Sequence, residues 1–521
     1  MSGINVTALV VFAFFFLLVT VLGFIAARWK AGDLTLLHEW GLAGRRFGTV
    51  ITWFLIGGDF YTAYTIIAVP ALVYAVGAYG FFALPYTIIV YPFVFAVMPR
   101  LWAVCHRHNF ITPADFVHGR YGSELLALAV AVTGILATMP YIALQLVGMQ
   151  VVIAAMGFGQ GGGLLGDVPL IVAFLILALY TYTSGLRAPA MIAFVKDVMI
   201  YIVVIAAIVL IPLHLGGYGA MFEAADKAFQ AKGGATGIVL KPEQFTAFAT
   251  LALGSAFAAF MYPHTTTGVL SSASGDVVRR NAMLLPLYTI LLGLVALLGY
   301  MALAAGVQAP SPSMTVPMLF LKIFPDWFVG FSFAAIVIGA LVPAAIMSIA
   351  AANLVTRNIW KPYVNRSISA QGEATLAKLV SLVVKVGALV FIIFLPTQFA
   401  IDLQLLGGVW ILQTFPAIVF GLFAPLGRWM RPTGLLAGWA VGMLVGTWIA
   451  FGQGLKPVHA LAIGGHTYSV YIGLTALVAN IVVAVVASLV ARTMHADAPH
   501  DVTRPSDYRA THPADSPQLV R

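Results

Sequence analysis

Charge is what this sequence has least of. Of its 521 residues only 9% are charged while 61% are hydrophobic, and the mean hydropathy is +0.99. A soluble chain of this length carries roughly a quarter charged residues on its surface, so lipid is the solvent here. Cysteine is nearly absent. Cys105 stands alone, which excludes an internal disulfide and any thiolate metal spacing. No Gly-x-x-x-x-Gly-Lys-Ser/Thr stretch occurs, which argues against ATP-driven pumping within this chain. Paired carboxylates, metal-spaced histidines and nucleophile motifs are missing at any common depth, so a membrane enzyme has no support. A repeated pore ring or selectivity loop is missing too, which disfavours a channel. Finally, no positive charge precedes the first apolar run, Val6 to Ala27, whereas Arg28 and Lys30 follow it. A signal peptide has the opposite polarity; this order describes a retained helix with its N-terminus outside.

What is present is a series of apolar runs. Reading about 20 apolar residues as one crossing, we expect thirteen spans, near 5–27, 48–77, 81–104, 124–156, 168–186, 189–213, 245–270, 282–306, 327–356, 375–396, 402–425, 433–453 and 469–493. An N-out start places twenty of the 27 lysines and arginines on the cytoplasmic side. That bias sets the topology and reads the net charge of +9 as contact with anionic membrane lipid, with no nucleic acid. The chain is then a multi-pass protein of the cell inner (plasma) membrane with a cytoplasmic C-terminus.

Two stretches lie outside the spans. In the outer loop 214–244, Ala220 to Ala231 alternates apolar and charged residues as a short amphipathic helix on the membrane surface does. The segment 495–521 is rich in Pro, Asp, His and Arg and poor in apolar residues, so it reads as a disordered tail. Residues 1–494 form one transmembrane domain. No residue pattern specifies an oligomeric state.

Two spans carry their own interruptions. The second contains Gly57-Gly58-Asp59, and the seventh contains Gly254-Ser255 and then Tyr262-Pro263-His264. Irregular backbone at membrane depth survives only against protein or a cavity. Broken helices at corresponding places in two halves point to a transporter's binding site. Asp59 is the sharpest candidate, because an intramembrane acid needs a partner or a function. The bland alternative is an N-cap for a half-helix beginning at Phe60.

Several stretches resemble the sodium:solute symporter family. After the third span stands Arg107-His-Asn-Phe-Ile-Thr-Pro-Ala-Asp-Phe-Val-His-Gly-Arg-Tyr-Gly122; the fourth holds Tyr141, Gln145 and Gly148; Ser184-Gly185-Leu186-Arg187-Ala188 precedes Asp197; Pro263-His264 begins a Thr-Thr-Thr-Gly268 run. The pattern looks most like the monocarboxylate permease branch, near the acetate and proline permeases. The resemblance implies an all-α polytopic fold with a LeuT-like five-plus-five inverted-repeat core, its repeats at about 48–213 and 245–425. One helix precedes that core and two follow, with the second and seventh spans broken.

The resemblance also implies a cation site formed by the carbonyls of Gly57 and Phe60 with Ala345 and Ser348 of the ninth span, and Asp59 beside it. A hard cation needs several oxygens, and the second hydroxyl position is Ile349, which has none. The coupling ion is therefore Na+ or H+, and no other cofactor is implied. Candidate substrate contacts are Thr62, Tyr64, Thr65, Gly254, Ser255, Tyr262 and His264 at the breaks, with Gln145 and Gln413 from the fourth and eleventh spans. For each hydroxyl the plain alternative is a bond to its own helix, and for His264 a neutral histidine bridging helices. Gly268 stands where those permeases tend to carry arginine. Asp197 either pairs with Lys196 or an arginine, or lies on the cation exit path. Lys196 and Lys385 sit within spans, where snorkelling toward the interface is the ordinary reading. The expected function is secondary active symport of a small organic anion, a monocarboxylate such as pyruvate, lactate or propionate. The alternative is another solute: acetate, proline or another amino acid.

Overall fold

The computed structural model describes residues 5–29, 32–158, 168–233, 236–394, 397–494 and 500–509. All thirteen expected apolar segments lie on helices. They are α1 (Val6–Ile25), α2 (Thr49–Phe60) and α3 (Ala63–Val76) for the broken second span, α4 (Ala83–Arg107), α5 (Glu124–Ala155), α6 (Val168–Ser184) and α7 (Arg187–His214). The second half brings α8 (Phe245–Ala259) and α9 (Pro263–Leu270) for the broken seventh span, α10 (Pro286–Ala304), α11 (Asp326–Leu354), α12 (Ala370–Phe394), α13 (Thr397–Ile411), α14 (Pro432–Gly452) and α15 (Ile472–Thr493).

Among the described residues ten helical stretches are long and apolar enough to cross a bilayer, or eleven with the bent pair α8–α9. One stretch, Thr49–Arg107, runs for 59 residues, far beyond a single crossing, and contains both the second and third segments. The fifth segment, α6, is the shorter apolar helix.

α11 is the axis of the bundle. From Phe328 to Leu354 nearly every side chain is buried, which only a helix surrounded by other helices can achieve. The outer helices show the opposite pattern: Phe14 and Leu17 of α1, Val383 of α12 and Trp448 of α14 are exposed, as lipid-facing positions are. α14 and α15 pack closely because small residues line the seam. A Cβ on Gly438 would meet Asn480 and Ala484, and one on Gly446 would meet Ala476.

The all-α fold includes one short hairpin: Val458–Ile463 and His466–Tyr471 pair antiparallel, with Val458 opposite Tyr471. Its turn is Gly464-Gly465, both at positive φ, the chemistry a tight hairpin requires. The tail is not wholly disordered. Residues 500–509 fold onto the helix Pro113–Tyr121 and the end of α4: Val502 N–H donates to the Gly119 carbonyl, Arg120 pairs with Asp501, and Asp507 meets Arg107 at 3.3 Å and His108 at 2.8 Å. Residues 495–499 and 510–521 lie outside the described residues. The expected amphipathic helix is Tyr218–Ala231, and part of its apolar face packs on protein, with Phe222 and Phe229 against the Tyr300 ring of α10.

The arginine-bearing loops are tied to one another. Arg187 donates to the Glu39 carboxylate at 2.5 Å and to its carbonyl at 2.8 Å, while Arg46 reaches the same carboxylate at 3.0 Å. Thr112 and Asp115 close a capping box, and Asn358 bonds both of them at 2.8 Å. Arg357 and Lys361 pair with Glu373. The Thr-Pro-Ala-Asp and Ser-Gly-Leu-Arg stretches thus tie these loops together, away from the cavity described next.

Candidate functional site: a cavity between two broken helices

α2 continues through Gly57, Gly58 and Asp59 and ends at Phe60; the break is Tyr61-Thr62. The glycine pair serves close approach. A Cβ on Gly57 would run into the Tyr288 ring, and one on Gly58 would lie 2.7 Å from Lys196 Nζ and 2.9 Å from Asp197 Oδ2. Side chains there would hold α7 and α10 away from α2. The N-cap reading of Asp59 does not hold, because Thr62 caps α3, its Oγ1 accepting from the Thr65 amide at 3.2 Å. The second break falls where expected. α8 ends at Ala259, Pro263 opens α9 at the position where its missing N–H costs nothing, and the two halves are bent by 50°. Gly254 and Ser255 lie inside α8.

The two breaks use one device to satisfy their carbonyls. Thr65 Oγ1 donates back to the Phe60 carbonyl at 2.7 Å, and Thr265 Oγ1 donates back to the Ala259 carbonyl at 2.8 Å. Hydroxyls thereby replace the helical amides lost at each interruption. The breaks also touch: the rings of Phe60 and Phe260 are 5.8 Å apart, and Asp59 Oδ2 lies 3.6 Å from His264 Nε2.

Beside this junction is a cavity of about 180 Å³, a size suited to a small solute rather than a drug-sized ligand. Asp59 and Phe60 line it from α2, Phe82 and Tyr86 from the third-span segment, Tyr141 from α5, and Leu251 and Ser255 from α8. Tyr262, His264 and Thr265 enter at the second break, Gln404 and Gly408 come from α13, and Tyr471 from the hairpin. Neither oxygen of Asp59 has a hydrogen-bond partner among the described residues, nor does His264 Nδ1 or Gln404 Oε1. The rings of Tyr141 and Tyr262 stand 5.5 and 5.2 Å from His264.

Of the expected substrate contacts, Ser255, Tyr262 and His264 line the cavity together with Asp59. The others do not. Thr62 and Thr65 are spent on the break. Gln145 turns back on the Tyr141 carbonyl at 3.4 Å. Gln413 bonds the Val409 carbonyl at 3.0 Å and accepts from Asn480 at 3.2 Å. Gly254 is the flat surface against which the Tyr471 ring packs, and the Tyr64 side chain lies outside the described residues. Sequence reasoning missed Tyr86, Thr265, Gln404, Gly408 and Tyr471 as lining residues. Thr265 could have been found from its place after Pro263, and Tyr471 only through the hairpin.

The expected cation set is arranged differently. Gly57 O accepts the Tyr61 amide at 3.3 Å and Phe60 O is taken by Thr65. Ser348 Oγ donates to the Ala345 carbonyl at 2.8 Å and accepts from Ser381 at 3.2 Å, which in turn holds Lys385 Nζ at 2.7 Å. Lys196 and Lys385 do not snorkel; both are buried. Lys196 Nζ donates to the carbonyls of Gly58 at 2.6 Å and Tyr61 at 3.1 Å, and pairs with Asp197 Oδ1 at 2.8 Å. The other oxygen of Asp197 accepts from Tyr288 at 2.7 Å.

Comparison with known proteins places this geometry. The sodium:solute symporter family model matches residues 40–446. A "Monocarboxylate transport permease protein" of Rhizobium johnstonii is 63% identical over 487 residues, 93% of this chain and 97% of the relative. An "Uncharacterized symporter" of Bacillus subtilis is 36% identical, covering 85% of this chain and 88% of its own length. Among solved structures, a substrate-bound, outward-open Na+-coupled sialic acid symporter superposes with a TM-score of 0.73 at 14% identity, over 93% of this chain and 98% of that one. At that identity it speaks for the fold alone. This chain belongs to the sodium:solute symporter family.

Proposed function

We propose that the protein takes up small monocarboxylates of the pyruvate, lactate and propionate type, coupled to a cation gradient and working by alternating access. The observation that carries the reading is the cavity beside the junction of the two breaks, with Asp59 and His264 side by side in its wall and both Asp59 oxygens and His264 Nδ1 without a hydrogen-bond partner among the described residues. The N-termini of α3 and α9 begin at this depth, and half-helix N-termini favour an anionic group through free amides and the dipole. The name of the Rhizobium relative supports the solute class.

Electrostatics explains why such uptake is coupled. A substrate carboxylate entering beside Asp59 would put two like charges in one buried site, an arrangement that disfavours ionising both. A proton or sodium ion arriving with the substrate cancels one of them. Anion and cation then bind together or not at all, which is the requirement for symport. The positive-inside bias supports an inner-membrane orientation with the N-terminus outside and the arginine-tied end in the cytoplasm.

The test is uptake of labelled pyruvate, lactate and propionate into liposomes containing the purified protein, under an imposed sodium gradient and under a pH gradient alone. Accumulation above the external level supports the reading. Accumulation of acetate, proline or another amino acid in place of these acids would replace the solute class.

A further inference from the structure

A half-helix ending inside a membrane presents unpaired carbonyls and the negative end of a dipole, and such an end coordinates the coupling cation of broken-helix transporters. At the end of α2 that space already holds a charge. Of the carbonyls from Gly57 to Tyr61, four are engaged, and two of these, Gly58 and Tyr61, accept from the single amine of Lys196. The third oxygen around that amine is Asp197 Oδ1 at 2.8 Å. Two N–H groups of the ammonium are thus accepted by carbonyls, and the Asp197 carboxylate stands at ion-pair distance. Lys196 is fully buried, and Gly58 lacks the side chain that would exclude it. On the ninth span, Ser348 is turned into the Ser381–Lys385 chain and Ile349 contributes no oxygen.

We propose that the Lys196 ammonium is a tethered cation seated where a mobile sodium ion would bind at the end of α2, so that transport proceeds without sodium and the ion that moves is a proton. The inference rests on the symport reading above. A sodium ion at this end would meet the Lys196 charge beside it, and would find the Gly57 and Phe60 carbonyls already accepting from the Tyr61 amide and the Thr65 hydroxyl. Sodium therefore has no cage at this end, whereas a proton needs only one unpartnered acceptor. The Asp59–His264 pair supplies acceptors at the cavity wall. The titratable groups facing that pair are Tyr141 of α5, Tyr262 at the second break, Tyr86 of α4, and Lys196 of α7 behind the last turn of α2. Facing Lys196 are Asp197 and, through it, Tyr288 of α10.

The experiment has one arm free of substrate and one with it. Thermal unfolding of the purified protein is compared in sodium chloride and in choline chloride at equal ionic strength. The intact protein is expected to show no sodium-specific shift, while Lys196→Ala, with its cage opened, gains one; Lys196→Arg keeps a cation in place and stays insensitive. In liposomes, labelled lactate uptake driven by a pH gradient is expected to be equal in sodium and in choline. A sodium-specific stabilisation of the intact protein, or uptake lost on replacing sodium by choline, overturns the proposal even if neither variant folds. Absence of lactate exchange under every condition refutes the solute reading instead, and leaves the sodium-binding arm to decide the role of Lys196.

Discussion

Asp59 Oδ2 and His264 Nε2 stand 3.6 Å apart, one on the last turn of the first broken helix and the other on the first turn of the second. An acid of the first repeat and a histidine of the second thus meet at the wall of the cavity. Under the proposed function, the charges of substrate and coupling ion meet at this pair.

Removing the acid should uncouple the protein. Asp59→Asn keeps the volume and removes the charge, so gradient-driven accumulation of lactate is expected to fall to the level of protein-free liposomes while the protein still inserts and purifies. Undiminished accumulation in this variant would take Asp59 out of the mechanism.

The threonines at the breaks should matter for stability. Thr65→Val and Thr265→Val each leave a buried carbonyl, of Phe60 or Ala259, without its donor. An orphaned buried acceptor costs about 1–3 kcal/mol, so each variant should unfold at a lower temperature in detergent. A valine variant as stable as the parent would mean that water takes over the bond.

Gly254 and Tyr471 should be coupled. A Cβ at Gly254 meets the Tyr471 ring, so Gly254→Ala is expected to cost about 1–3 kcal/mol by overpacking. Made in a Tyr471→Ala background, the same change should cost much less, since contacting residues are not additive. Equal costs in both backgrounds would show that the ring moves aside freely.

The folded segment 500–509 should respond to pH. Burial pushes the Asp507 carboxyl up, but hydrogen bonds from His108 and the Arg504 amide, with the charges of His108 and Arg107, outweigh it and hold the group below its ordinary value. A depressed carboxyl stabilises the docked state above its unfolded value and loses that contribution as pH falls through its folded one. The segment should stay docked at neutral pH and loosen only in acid. Asp507→Ala should release it already at neutral pH, raising amide exchange over 500–509 roughly tenfold or more, as befits bonds to a charged group of about 1.5–3 kcal/mol. Unchanged exchange would mean that Arg120–Asp501 alone holds the segment.

The spans were legible because bilayer thickness fixes the length of an apolar run, and the second break because Pro263 cannot continue α8. The first break was misplaced by four residues for a physical reason: glycine is both a helix breaker and a close-packing residue, and only the partner helix decides which. At Gly58 the partner is Lys196, more than a hundred residues away. Lys196 itself read as a snorkelling lysine since its span position says nothing of the carbonyls opposite. Composition alone made 495–521 look unstructured, whereas Asp501 and Asp507 find Arg120, Arg107 and His108 across the fold. The hairpin had a local signal in Gly464-Gly465, hidden because its second strand runs directly into the last apolar segment.

Substrate occupancy of the cavity can be measured through a reporter in its wall. Cys105 is buried, so Ser255→Cys provides a single accessible thiol beside Asp59 and His264. Lactate or pyruvate should slow its reaction with a small thiol reagent, in proportion to occupancy, while a neutral solute of similar size should not. Labelling that proceeds at one rate with or without these acids would contradict a binding site between the two broken helices.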